Sequence, residues 1–159
     1  MPIKKKQLIV MKIKKIIEET INEYLDDLQG ECLYHATPSC YVNSIKKFGL
    51  GGKIPKKRFW DYKNTPYSNI TQGVFLATDE YVAESYLDSS DEFYELAEWY
   101  EEKYGKELNI VVFKVNINDL DKSLLSIDEN QMVDDNGDNN HTYFYNGVIP
   151  FNKLKIVQI

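Results

Sequence analysis

Two histidines, two cysteines and a single arginine are the scarce reactive side chains of this sequence, so chemistry is sought first among them. His35 stands in ECLYHAT (31–37), between Tyr34 and Thr37 and just ahead of Pro38-Ser39. An imidazole at a strand end can hydrogen-bond a ligand hydroxyl or phosphate through one nitrogen while the backbone fixes the other. A purely structural histidine is the alternative at that position. His141 closes the polar stretch DDNGDNNH (134–141) and is expected to be solvated. Cys32 and Cys40 cannot build a disulfide scaffold or a four-cysteine zinc site, and with the two histidines their spacing fits no metal pattern. Free thiols and no metal are therefore expected. Neither a Ser-His-Asp or Cys-His pairing nor a glycine-rich phosphate loop stands out. The carboxylates crowded into 88–102 read as the solvated face of a helix.

These residues need elements to hold them. Apolar positions Ile13, Ile16, Ile17, Ile21, Tyr24, Leu25 and Leu28 recur at helical spacing over 12–28, and Gly30 suits the helix end. That stripe is expected to pack on the rest of the fold. Met11 makes the first ten residues read as an extension or an alternative start. A short strand is expected at 31–37, then a helix at 42–48 stopped by Gly49 and Leu50. The connector 51–72 carries Arg58 and the aromatics Phe59, Trp60, Tyr62 and Tyr67, as a functional or mobile loop would. GVFLAT (73–78) reads as a buried strand. Thr78 or Asp79 then caps a helix with Val82, Ala83, Tyr86 and Leu87 on one face. A second helix follows at 91–104, with Phe93, Leu96, Ala97, Tyr100 and Tyr104 inward. Strands are expected at 109–117, 124–127, 142–149 and 154–159. There is no internal repeat, so the reading is one α+β domain over 1–159, with 1–30 as an N-terminal extension and helix.

The chain has 159 residues, 43% of them apolar and 28% charged, which is globular composition. No apolar run approaches the roughly 20 residues of a membrane span. The opening residues also lack a secretory cleavage pattern. A cytoplasmic protein with no membrane partner is expected. The net charge of −6 conceals an asymmetry: residues 1–63 carry +6 and residues 64–159 carry −12. The acidic part argues against broad nucleic-acid coating, so a protein partner is favoured, while the basic part could hold one phosphorylated ligand.

In order along the chain, LYHAT, SIKKFGL, GVFLATDEYVAESY and YFYNGVIPFNKLKIV resemble the ADP-ribosyltransferase superfamily, from Cys32 to Ile159. Poly(ADP-ribose) polymerases, RNA 2′-phosphotransferases and small bacterial and phage members belong to it. The resemblance implies a split antiparallel β-sheet core with the N-terminal helix and flanking helices around it. It implies an NAD-dependent mono-ADP-ribosyltransferase, a glycosyltransferase of toxin or phage type. Such an enzyme uses NAD as substrate, cleaves the nicotinamide–ribose bond and passes ADP-ribose to an unidentified macromolecular acceptor.

His35 matches the first-motif histidine that holds a ribose hydroxyl, with Tyr34 beside it, and Thr37 matches the small hydroxyl residue facing the nicotinamide amide. Gly49 matches the glycine ending the next helix. Phe75 and Ala77 match the strand whose end walls the pocket. Tyr86 matches the aromatic that stacks on the nicotinamide ring, with Ser85 next to it, and Arg58 is the expected phosphate or target contact. A cationic ring on an aromatic face gains about 0.5–2 kcal/mol. The sequence departs from the family at the third motif. Where the family places a glutamate, HTYFYNGVIP puts Thr142 or Tyr143, which leaves Asp128, Glu129 or Asp138 as the acids to supply one. A non-catalytic nucleotide- or protein-binding module of the same fold is the alternative. An RNA 2′-phosphotransferase-like enzyme is the second, although that branch grips phosphate with several arginines and this chain has one.

Overall fold

The β-branched run NIVVFKVNI forms the strand on which the neighbouring strands are assembled. The computed structural model describes residues 3–27, 31–52, 73–127 and 142–158. In chain order it contains helix α1 (Ile3–Asp27), strand β1 (Cys32–Pro38), helix α2 (Val42–Phe48), strand β2 (Val74–Ala77), and helices α3 (Glu80–Asp88) and α4 (Asp91–Tyr104). Strands β3 (Ile110–Asn116), β4 (Leu125–Ile127), β5 (Thr142–Tyr145) and β6 (Leu154–Gln158) complete it. The strands form one six-stranded sheet in the order β4-β5-β2-β1-β3-β6, with antiparallel neighbours throughout. The architecture is mixed α/β, compatible with the α+β reading.

Strand alternation sorts the apolar residues onto two faces. Leu33, Leu76, Val111, Phe113, Val115 and Tyr143 join Ile45 of α2 in one cluster. Ala36, Ala77 and Val112 lie in the other, with Ala83 and Leu87 of α3 and Phe93 of α4. Local chemistry starts and stops the helices. Asp79 accepts hydrogen bonds from the backbone N–H groups of Tyr81 (2.7 Å) and Val82 (3.3 Å) at the head of α3. Ser90 accepts from Phe93 N–H at 3.1 Å to start α4, and Gly105 ends α4 with φ 63°. Behind α2, Gly49 has φ 81°, and a Cβ there would lie 2.6 Å from Val148 Cγ1 and 2.9 Å from the Ile149 carbonyl oxygen. Only glycine fits that approach. It lets Leu50 and Ile149 exchange two backbone hydrogen bonds of 2.8 and 2.9 Å.

Three expectations need correction. Helix α1 begins at Ile3 rather than residue 12, because the opening lysines and apolar residues continue the same turn. Over its described side chains the stripe is not buried: Ile13 is 50% exposed and Ile17 52%. The strand expected over 142–149 stops at Tyr145. Asn146 still donates its N–H to the Leu124 carbonyl, one step on in the β4–β5 register, and beyond it Ile149 returns only as an isolated bridge to Leu50. The readings of the 51–72 loop, past Gly51 and Gly52, and of the 134–141 turn fall outside the described residues. Among the described residues, no helix is long and apolar enough to cross a membrane.

Candidate functional site

The sheet changes character between β1 and β2. On one side β1 pairs with β3 along its whole length, from Cys32↔Asn116 to Pro38↔Ile110. On the other it meets β2 in register at Tyr34↔Ala77 alone. Strand β2 is held instead by β5, through four pairs from Val74↔Tyr145 to Ala77↔Thr142. The two halves of the sheet are thus joined at one step of the ladder, and His35 is the next residue along β1.

At that junction His35 Nδ1 lies 2.8 Å from the Phe75 carbonyl oxygen of β2. A carbonyl can only accept, so Nδ1 carries the proton. Burial holds the His35 pKa below its ordinary 6.5, outweighing the Phe75 carbonyl, which acts the other way. The neutral ring therefore leaves Nε2 without a hydrogen, as an acceptor. Such a nitrogen recognises a donor, and a sugar hydroxyl is one. The side-chain bond also satisfies a β2 carbonyl beyond the single register pair, where a polar group left without a partner would be costly.

Tyr34, Ala77 and Thr142 form a row across β1, β2 and β5. Helix α3 sets Tyr86 against the end of this row, its Oη 2.9 Å from Thr142 Oγ1. Tyr86 is 44% exposed although Ala83 and Leu87 of the same helix are buried. It is therefore not a core aromatic. The neighbouring Ser85 donates its hydroxyl to the Val82 carbonyl at 2.8 Å, so this group serves the helix.

The remaining candidates separate. Thr37 is buried at the far end of β1, opposite Val111. Gly49 belongs to the Leu50–Ile149 closure, where its missing side chain is what matters. Arg58 lies outside the described residues, as do His141, Asp128, Glu129 and Asp138. The two residues that the sequence offered at the third-motif place differ in what they touch. Thr142 opens β5 and faces Tyr86, whereas Tyr143 is buried in the α2-side cluster. Thr142 is thus, of the two residues that the sequence left open there, the one that meets Tyr86. Its signal was faint: a hydroxyl at the first position of a strand following a polar run.

Cys32 and Cys40 are free, and burial raises the Cys40 thiol pKa, which keeps it protonated at neutral pH. Among the described residues no group of three or more His, Cys, Asp or Glu is placed to hold a metal ion. No family model, no curated protein and no solved structure matches this chain.

Proposed function

We propose that this chain is an ADP-ribosyltransferase-like protein that binds NAD at the junction of the two half-sheets and acts as a mono-ADP-ribosyltransferase. The observation that carries the reading is the neutral, backbone-anchored His35 at the single-pair junction of β1 and β2. In this proposal its acceptor nitrogen takes a ribose hydroxyl. Tyr86 presents an exposed ring for the nicotinamide, steadied by Thr142 at its hydroxyl end. The acceptor of ADP-ribose is more readily a protein than a nucleic acid, given the acidic charge of residues 64–159.

A second reading is favoured by one specific observation. The residue that meets Tyr86 is Thr142, a neutral hydroxyl, and the resemblance expects a glutamate in that stretch of the sequence. A positioned carboxylate stabilises the positive charge that develops on the ribose as nicotinamide leaves, and losing such a group costs about 3–4 kcal/mol. Without one supplied from elsewhere in the chain, the same site would bind nucleotide and not turn it over.

The deciding experiment measures NAD binding by calorimetry, together with nicotinamide release and labelled ADP-ribose transfer in cell lysate. His35→Ala and Tyr86→Ala run beside wild type. Turnover that both variants abolish supports the transferase. Binding that both variants weaken, with no release, supports the non-catalytic module. Wild type without either binding or release defeats both readings.

A further inference from the structure

Helix α1 is the longest element described, and little in its own sequence stabilises it as an isolated helix. Lys4, Lys5 and Lys6 crowd its first turn and Asp26-Asp27 end it, so both termini oppose the helix dipole. Every side chain from residue 4 to 17 is exposed. Ile9, Val10, Ile13 and Ile17 form a continuous apolar stripe at 45–52% exposure. Lys5 and Lys12 line one flank of the stripe by helical periodicity. Helices in proteins draw most of their stability from packing such a face.

A surface of complementary form lies on α4. With Phe93 buried, the opposite side of α4 exposes a ridge that includes Asp91, Glu98 and Glu102. Tyr94 (55% exposed) and Trp99 (49%) flank that ridge, one on each side. The first fifteen residues of α1 hold six lysines and no acid, and α4 holds six acids against Lys103 alone. Lengths agree too: residues 3–17 rise about 22 Å and α4 about 21 Å at 1.5 Å per residue. Seated side by side and offset by one row, the isoleucine stripe would cover Trp99 or Tyr94 while the lysine row meets the acidic ridge.

We propose that α1 of one molecule docks on α4 of a second copy, and the reverse contact closes a twofold dimer. Each copy offers both halves of the contact, so in the twofold arrangement two equivalent interfaces form at once, and no complementary surface is left over for a third copy. An anionic lipid surface is the other occupant that a basic amphipathic helix could take. The net charge of −6 and the acidic α4 disfavour it, since they would be repelled by such a surface.

Sedimentation equilibrium of the full chain tests this, over a wide concentration range and at low and high salt. The expected result is a dimer whose dissociation rises with salt, because the charge rows are screened. Two charge-reversed full-length variants sharpen it: Lys5→Glu with Lys12→Glu on α1, and Glu98→Lys with Glu102→Lys on α4. Each alone should weaken association by roughly tenfold or more, since like charges then face each other. An equimolar mixture of the two should dimerise again, because each mixed interface regains opposite charges. A wild-type mass that stays monomeric throughout overturns the proposal. So does an α4 variant that dimerises like wild type, which would mean that α1 pairs with itself. Monomeric protein that binds phosphatidylglycerol vesicles assigns the stripe to lipid and also overturns it.

Discussion

Helices α1 and α3 carry the same kind of apolar periodicity and end in opposite situations. On α3 the pattern is joined to a cap, with Asp79 receiving two backbone N–H groups, and its apolar face is buried on the sheet at Ala83 and Leu87. On α1 the described stretch of the pattern, residues 9–17, is exposed, and charges of the wrong sign sit at both ends. Periodicity therefore announces a helix in both places but says nothing about what the stripe will touch. A cap and a neighbouring strand tie α3 to the sheet, and through it Tyr86 reaches Thr142. Nothing comparable within the described residues ties α1.

The strongest way to break this comparison is to remove the burial that distinguishes α3. Leu87→Ala is expected to cost about 2–5 kcal/mol in urea unfolding, as for other buried leucines. A loss as small as that of a surface residue would mean that α3 is no better anchored than α1. Tyr86→Phe removes the hydroxyl that meets Thr142 and should cost about 1 kcal/mol. Because the ring remains, NAD affinity should fall far less than in Tyr86→Ala, and equal losses would count against ring stacking.

Acid should act on the β1–β2 junction rather than on either helix. His35 has a folded-state pKa below 6.5, so below that pH the unfolded chain binds a proton that the folded chain refuses. Its contribution is fully present above pH 6.5 and is lost as pH falls toward the folded value. Stability measured against pH should drop in that window, and His35→Gln should flatten the slope. An unchanged slope in the variant would place the acid sensitivity elsewhere. The smallest effect belongs to α1. In dilute protein at high salt, Ile13→Ala should change unfolding free energy by less than about 0.5 kcal/mol, because no core is disturbed.

Much of the architecture was legible in advance because its signals are local. Helix α2 fell on 42–48 because Gly49 must stop it, and α4 fell on 91–104 between Ser90 and Gly105. Strand β3 followed from a β-branched run. The strand expected to reach residue 149 was too long, since hydrophobic content alone does not reveal that the chain leaves the ladder after Asn146 and that Ile149 pairs with Leu50. At the site, His35 and Tyr86 were chosen from the sequence, whereas Thr142 stood there beside Tyr143 as an open choice and its contact with Tyr86 emerged only from the fold. Its neighbour Tyr86 is 56 residues away along the chain.

By itself the sequence determined the order and approximate place of most helices and strands, the ends marked by Gly49, Ser90 and Gly105, and the charge asymmetry between the parts of the chain. Periodicity, caps and composition act over a few residues and can be read there. Only the tertiary structure decided that β1 meets β2 at a single pair, that His35 donates to Phe75, and that Thr142 rather than Tyr143 faces Tyr86. It also decided that residues 9–17 of α1 remain exposed. These are pairings between residues distant in sequence, and their energies depend on which surfaces the folded chain brings together.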